Sequence, residues 1–324
     1  MASTSSHKTK HFFFVLVKIG IVLGAFYFMY NRIVNNEDLD FNAFLQLLKT
    51  NNVFSTKHIL IIISLSVLNW TFEILKWQNL VSYLKPIPFK KAFAECLGSM
   101  TASLLTPNRV GEYGAKAINY PSEDRGSIIK LNGLGHFAQM SMTTIFGVLG
   151  TLAFARLNRV ELKHENIIVF SVIALVIIGG LYFYLKQNDI KVKGYSLKTL
   201  IRFFTSLPKP IVQKTFLMAF LKYACFTFQF YYLLRIFETE KGYFEAMVAI
   251  SSMYFFSSII PSIVLLEVVV KGSLAVFLFS VIGVDELTTL SIIMLMWVLN
   301  YVIPSIIGSV FVLNFKLHNK ESLS

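Results

Sequence analysis

The run LTTLSIIMLMWVLNYVIPSIIGSVFVLNF, residues 287–315, contains no charged side chain. A helix needs about 20 apolar residues to cross a hydrocarbon core of about 30 Å. This run is long enough to do so. Pro304 lies inside it and cannot donate a backbone hydrogen bond, so we expect a kinked transmembrane helix.

Similar runs recur along the whole chain. Hydrophobic residues make up 55% and charged residues 15% of the sequence, whereas soluble domains carry about 25% charged residues. Mean hydropathy is +0.62. The further candidate spans are Phe12–Tyr30, His58–Leu84, Leu131–Ala155, Asn166–Leu185 and Thr215–Leu234. The sequence therefore predicts an all-α, polytopic transmembrane helix bundle with about six full spans, and a short interfacial helix at residues 40–50.

The segment 92–119 is apolar at first but too short for a straight span. It contains LTPNRVGE (residues 105–112), followed by Lys116. Glu112 and Lys116 are four positions apart, so the two can pair on one face of a helix. We expect a hairpin that enters the membrane, breaks at Pro107 and Gly111, and returns to the same side.

A second segment, 244–284, follows the same plan. It contains IPSIV (residues 260–264) and then Glu267 and Lys271, again four positions apart. We expect Pro261 to break this second re-entrant hairpin. The two hairpins would enter from opposite sides, which is the arrangement of an inverted repeat. The alternative is that the prolines only bend interfacial loops and the charges pair at the lipid headgroups.

The net charge is +12, and its distribution predicts the topology. Lys and Arg predominate in both tails and in the loop 186–209, and basic loops stay on the cytoplasmic side. Acidic stretches, which fit the outside, are 37–40, 238–245 and 285–286. The predicted divisions are cytoplasmic tails at 1–11 and 316–324 and one transmembrane domain at 12–315, with halves of about 12–165 and 166–315. This topology predicts a multi-pass protein of the cell (inner) membrane that meets anionic lipid rather than nucleic acid.

Charges inside the membrane cost about 2.5–3.5 kcal/mol each at its centre, so they mark a pathway or a partner. A broken helix end exposes N–H groups that attract phosphate, and an adjacent arginine can hold a phosphate with two hydrogen bonds. We expect Arg109 and Lys116 to attract a headgroup phosphate. The predicted lipid-headgroup site comprises Arg109, Glu112, Lys116, Asn108, Glu267, Lys271, Glu73 and Lys76.

Other polar residues within the spans have two interpretations each. Glu73 and Lys76 either line a cavity or lie near its cytoplasmic end, with Lys76 snorkelling. Lys222 either meets a phosphate or a glutamate, or snorkels. His136 and Gln139 share a helix face, where a proton relay competes with a hydrogen-bonded interior histidine.

No pattern of metal ligands or of a nucleotide-binding loop occurs in the sequence, so we expect neither a metal nor another cofactor. Cys96 and Cys225 lie in apolar surroundings and are expected to be small buried side chains. Because neither a nucleotide-binding domain nor an aminoacyl transferase domain is evident in the sequence, we do not expect the chain to be an enzyme. Two alternatives are a membrane-embedded enzyme that uses Glu112 as acid or base on a lipid-linked sugar or headgroup, and a scaffold for a separate synthase.

The chain resembles the lysylphosphatidylglycerol synthase transmembrane-region family, which is flippase-like, because TPNRVGE at residues 106–112 matches the family signature TPxRxGE. The basic–aromatic pair of the family corresponds to Lys76 and Trp77, and its later proline-rich segment corresponds to residues 261–267. That segment usually carries glycines before its glutamate, where this chain has Ile263-Val264-Leu265-Leu266. The resemblance spans nearly the whole chain.

The resemblance implies a lipid-binding or lipid-translocating cavity formed by the two hairpins. Two-domain members carry an aminoacyl transferase domain after the membrane region, whereas this chain ends at Ser324. We therefore expect a stand-alone member without that domain. Its expected substrate is an anionic phospholipid or a polyprenyl-phosphate-linked precursor.

Overall fold

The computed structural model describes residues 41–104, 106, 109–158, 191–192, 195–239, 241–260 and 264–315, together with Leu23 and Tyr27. For residue 41 and for 191–200 and 264–270 it describes the backbone only. Several sequence predictions lie outside the described residues: both tails, the span Asn166–Leu185, nearly all of Phe12–Tyr30, and Pro107, Asn108 and Pro261.

The described part of the chain is all-α apart from one small strand pair, in which Lys191–Val192 runs antiparallel to Tyr195–Ser196. This confirms the all-α part of the predicted fold class. The helices are α1 Phe41–Thr50, α2 Thr56–Val81, α3 Phe89–Ser103, α4 Val110–Ala117, α5 Arg125–Leu157, α6 Leu197–Ser206, α7 Lys209–Ile236, α8 Tyr243–Ile259, α9 Val264–Val281, α10 Glu286–Trp297 and α11 Ile303–Asn314.

Among the described residues, four helices are long and apolar enough to cross a membrane. They are α2, α5, α7 and the continuous helix Glu286–Asn314. All four coincide with predicted spans, and they are the helices of a multi-pass membrane protein. The short helix predicted at residues 40–50 is present as α1.

Local sequence sets several helix ends. The Ser55 hydroxyl accepts a hydrogen bond from the His58 amide at the start of α2, and the Asp285 carboxylate accepts one from the Thr288 amide at 2.9 Å at the start of α10. Such caps satisfy amide groups that have no partner within the helix. Pro86 and Pro88 separate α2 from α3, because proline cannot continue a helix.

The last membrane helix changes its winding just before Pro304, where residues Val298–Val302 form a wider, π-helical turn. An α-helix would direct the amide of residue 304 at the Asn300 carbonyl, but proline has no amide hydrogen. The Trp70 indole of α2 donates to that carbonyl instead, at 3.2 Å. The carbonyl group that the proline leaves without a helical partner therefore joins the last helix to α2.

Two of the three predicted breaks, those at Pro107 and Pro261, have sequence positions that fall between the described helices. Helix α3 has 15 residues, which reach about 22 Å and fall short of a hydrocarbon core of about 30 Å. It ends at Ser103, and α4 begins at Val110 and packs against it. Likewise α8 ends at Ile259 and packs against α9, which begins at Val264.

Close helix contacts at glycines hold the broken segments in place. A Cβ atom on Gly147 of α5 would overlap the Phe255 side chain of α8. On Gly308 of α11, a Cβ atom would overlap the Leu97 carbonyl oxygen and the Thr101 hydroxyl of α3. Because only glycine permits these distances, α8 is fixed to α5, and α3 is fixed to α11.

The buried carboxylate of Glu95 joins α3 to α2 and to the residues that follow α4. Both the Trp77 indole and the Tyr120 hydroxyl donate to the same oxygen of Glu95, Oε2, each at 2.7 Å. Trp77 lies in α2 and Tyr120 follows α4, so one side chain of α3 joins three parts of the chain. Lys91 Nζ lies 3.8 Å from the other Glu95 oxygen.

Candidate functional site

Most of the residues predicted to bind a lipid headgroup line one cavity of about 500 Å³. Its walls come from α2, α3, α4, α5, α7, α8, α9 and the last membrane helix. The predicted residues that line it are Glu73, Lys76, Arg109, Glu112, Lys116 and Lys271. Asn108 and the side chain of Glu267 lie outside the described part of the chain. The fold thus gathers charges from widely separated segments.

The signature segment positions Arg109 and α4. Arg109 adopts a left-handed conformation with φ of 55° at the start of α4. The Gly111 amide donates to the Thr106 hydroxyl at 2.9 Å, and a Cβ on Gly111 would lie 2.9 Å from the same oxygen. The prediction that Gly111 breaks the helix is wrong: it lies in the first turn of α4, and its lack of a side chain lets Thr106 approach closely.

Glu112 and Lys116 form the ion pair that the four-residue spacing predicts. Lys116 Nζ donates to Glu112 Oε1 at 2.7 Å and to Asn132 Oδ1 at 2.8 Å. The same ammonium group lies 4.3 Å from the centre of the Trp77 ring. Lys116 is only 1% exposed, so its charge is balanced almost entirely by these groups.

The second oxygen of Glu112 faces His136, with 3.4 Å between Oε2 and Nε2. His136 stacks on Tyr113 with ring centroids 5.2 Å apart. Its Nε2 has no hydrogen-bond partner in the described part of the chain. Both interpretations of His136, a proton relay and an interior histidine, stay predictions. Gln139 also lines the cavity.

Glu73 binds two lysines through one oxygen. Its Oε2 lies 2.8 Å from Lys76 Nζ on α2 and 2.6 Å from Lys222 Nζ on α7. Glu73 and Lys76 therefore line the cavity, the first of the two alternatives, and Lys222 meets a glutamate. This cluster of two ammonium groups and one carboxylate carries one excess positive charge.

Tyr301 joins the two proline-containing segments. Arg109 Nη2 donates to the Tyr301 hydroxyl at 2.7 Å, and Lys271 Nζ lies 5.7 Å from the centre of the Tyr301 ring. The Tyr254 ring is 5.8 Å from the same ammonium group. Sequence reasoning missed Tyr301, although a polar Asn300–Tyr301 pair inside an uncharged run was a usable signal.

A network of buried amide side chains borders the cavity, and two of its members, Asn69 and Asn300, line it. Asn69 Nδ2 donates to Asn300 Oδ1 at 3.0 Å, Asn300 Nδ2 donates to Gln229 Oε1 at 2.9 Å, and Gln229 Nε2 donates to the Ser66 hydroxyl at 2.7 Å. These contacts join residues far apart in the sequence, so no local pattern predicts them. The network holds α2, α7 and the last helix in one register, and these three helices present Glu73, Lys222 and Tyr301 to the cavity.

Positive charge predominates in the lining. Among the described residues it contains five cationic side chains (Lys76, Arg109, Lys116, Lys222 and Lys271) and two carboxylates (Glu73 and Glu112). Within the same part of the chain, no group of three or more His, Cys, Asp or Glu residues could hold a metal ion. Such a cavity suits an anion.

Comparisons with known proteins leave the family open. No family model matches this sequence, and no curated protein matches it. The resemblance to the lysylphosphatidylglycerol synthase transmembrane region therefore stays an interpretation of the motif at residues 106–112 and of the arrangement around it.

Proposed function

We propose that the chain is a flippase-like membrane protein that binds the headgroup of an anionic phospholipid or lipid-linked precursor in this cavity and moves it across the membrane. The excess of cations in the cavity lining carries the proposal. Glu267 is a further predicted residue of this site. If its carboxylate is added to the count, the lining still has more cations than carboxylates. A membrane protein retains buried charge at such cost mainly for a pathway or a partner.

The proposed architecture is two re-entrant hairpins and about six full spans, in one domain at 12–315 of the cell (inner) membrane with both termini cytoplasmic. Both proposed halves contribute cations: Lys76, Arg109 and Lys116 belong to the first, and Lys222 and Lys271 to the second. An inverted repeat with a site between its halves is a plan suited to alternating access. The motif resemblance supports the same plan.

The test is lipid transfer by the purified full chain in liposomes that contain labelled phospholipids or polyprenyl phosphates. We expect transfer by the wild type, and loss of both transfer and binding in Arg109→Ala. Arg235→Ala is the matched control, because Arg235 is exposed at the end of α7 and does not line the cavity. Transfer of no lipid, with unchanged binding in Arg109→Ala, would contradict the proposal.

A second candidate is a membrane-embedded enzyme acting on a lipid-linked sugar or headgroup. The contact between Glu112 Oε2 and His136 Nε2 favours it, because a carboxylate beside an imidazole is a common acid–base arrangement. Mass spectrometry of lipids from cells that overproduce the chain decides between the two. A product that is lost in Glu112→Gln supports the enzyme, whereas unchanged lipids with retained transfer support the flippase. A co-purifying synthase would support the scaffold.

A further inference from the structure

Hydrophobic side chains occupy the exposed part of the cavity lining. Among the described residues that line the cavity, three are exposed: Met140 at 45%, Ile259 at 58% and Ile260 at 42%. The charged and polar residues of the same lining are all buried or half-buried. The cavity therefore reaches the outside of the protein between hydrophobic side chains, and its charges lie further in.

The helices that carry these exposed residues cross at a close contact. A Cβ atom on Gly147 of α5 would overlap Phe255 of α8, and one on Gly150 would lie 2.8 Å from the Ser251 side chain. A higher residue number on α5 thus meets a lower one on α8, so the two helices are antiparallel. The crossing itself is too tight to admit a lipid chain.

The exposed residues lie on one side of this crossing. Met140 precedes Gly147 by about two turns, and Ile259 follows Phe255 by about one turn, which in antiparallel helices is the same direction. Ile260 directly follows the end of α8. Met140 is also near the middle of α5, one of the helices able to cross a membrane. The exposed part of the lining therefore lies at the depth of the hydrocarbon core.

Aromatic rings close the neighbouring wall of the cavity, between α5 and α7. Phe137 of α5 meets Phe216 of α7 edge to face, with ring centroids 6.4 Å apart, and Phe146 stacks on Tyr223 at 5.2 Å. These two pairs lie before and after Met140 along α5. Access to the cavity from the bilayer along α5 is therefore on the side of this helix that faces α8.

We infer that the space between Met140 of α5 and the end of α8 is a lateral opening. Through it the acyl chains of a bound lipid extend into the bilayer, while the phosphate lies among the cations of the cavity. The inference rests on the proposed function and adds the place where the lipid enters. A polar rim facing hydrocarbon would be costly, whereas methionine and isoleucine contact acyl chains without that cost. Such a rim suits a lipid and not a free anion, which would arrive from water.

The test locates the acyl chains of a bound lipid on the wild-type full chain. Phosphatidic acid and phosphatidylcholine, each with the same photoactivatable diazirine in mid-chain, are placed separately in phosphatidylcholine nanodiscs, and the labelled residues are identified by mass spectrometry. Leu149 and Leu152 are the reference sites, because both are exposed on α5 and neither lines the cavity. Labelling by phosphatidic acid relative to phosphatidylcholine should be at least about ten-fold higher at Met140, Ile259 and Ile260 than at the reference sites, because one hydrogen bond to a charged group contributes about that factor.

Lys222→Gln should lower this enrichment, because it removes a half-buried cation of the cavity and leaves Glu73 paired with Lys76. Lys214→Gln is the matched control: Lys214 is exposed about two turns earlier on the same helix, and the enrichment should be unchanged. The reference sites are read from the same digest, so differences in protein amount cancel. Enrichment that persists undiminished in Lys222→Gln would show that the rim binds lipid independently of the cavity, and would overturn the inference.

Two further outcomes separate the inference from the proposed function, with binding measured separately by native mass spectrometry. If phosphatidic acid binds the protein but the three rim residues show no enrichment over the reference sites, the lateral opening is wrong and the proposed function stands. If phosphatidic acid does not bind, the proposed function fails together with the inference. Binding of inorganic phosphate in that case would show that the cavity is a site for a free anion.

Discussion

Arg109 donates a hydrogen bond from Nη2 to the Tyr301 hydroxyl at 2.7 Å, across 192 positions of sequence. The contact joins the residue just before α4 to the π-helical turn of the last membrane helix. Lys271 lies against the same ring. Tyr301 is therefore placed to orient the cations of both proline-containing segments.

Tyr301→Phe should weaken binding of anionic lipid while leaving the fold intact. The substitution keeps the ring that Lys271 contacts and removes one acceptor of Arg109, and a hydrogen bond to a charged group contributes about 1.5–3 kcal/mol. The affinity of the protein for an anionic phospholipid is measured in nanodiscs. Tyr243→Phe is the control, because Tyr243 is exposed. Unchanged affinity in Tyr301→Phe would show that the hydroxyl does not position Arg109 for the ligand.

Glu73→Gln should destabilise the protein more than Lys222→Met. Without its carboxylate, the cluster would hold two ammonium groups and no counter-charge, and breaking a buried ion pair costs about 3–5 kcal/mol. Loss of Lys222 leaves Glu73 paired with Lys76, so the cost is smaller. Thermal unfolding midpoints in detergent measure the difference. Equal midpoints for the two variants would mean that Glu73 does not balance both lysines.

Glu95→Ala should lower the thermal midpoint, whereas Glu95→Gln should nearly preserve it. Alanine leaves the Trp77 indole and the Tyr120 hydroxyl without an acceptor, at about 1–3 kcal/mol for each buried donor. Glutamine retains one oxygen, and both donors use a single oxygen in the native protein. If glutamine destabilises as strongly as alanine, the negative charge of Glu95 is needed as well as its oxygen.

Gly308→Ala should destabilise the contact between α3 and α11, because the new methyl group would overlap the Leu97 carbonyl oxygen and Thr101. Forced shifts in a packed interior cost about 1–3 kcal/mol. Gly114→Ala is the control: a Cβ there has no atom within 4 Å, and alanine favours a helix by about 1 kcal/mol. Thermal midpoints should fall for the first and hold or rise for the second.

The features that depend on local sequence patterns, namely the long helices, one ion pair and the gaps near the prolines, could be predicted from the sequence. The length of the apolar runs located α2, α5, α7 and the last membrane helix, because a hydrocarbon core has a fixed thickness. Four-residue spacing predicted the Glu112–Lys116 pair, because helix geometry places such residues side by side. Prolines indicated both gaps between helices.

What depends on the packing of distant helices could not be predicted. Lys222 and Glu73 are 149 positions apart, so no local spacing reveals that they meet. Tyr301 reaches Arg109 only because segments 192 positions apart in the sequence pack together. Gly111 was misread because a glycine pattern cannot distinguish a broken helix from one that a neighbouring side chain approaches closely.

The single oxygen that Glu73 offers to Lys76 and Lys222 has a kinetic consequence. An entering phosphate can take Lys222 while Lys76 stays on the carboxylate, so Glu73 keeps a partner at every stage. A one-to-one pair would have to open completely, which leaves a buried charge alone at about 3–5 kcal/mol. If the proposed function holds, we therefore expect a low barrier to exchange at this site and rapid release of a bound headgroup.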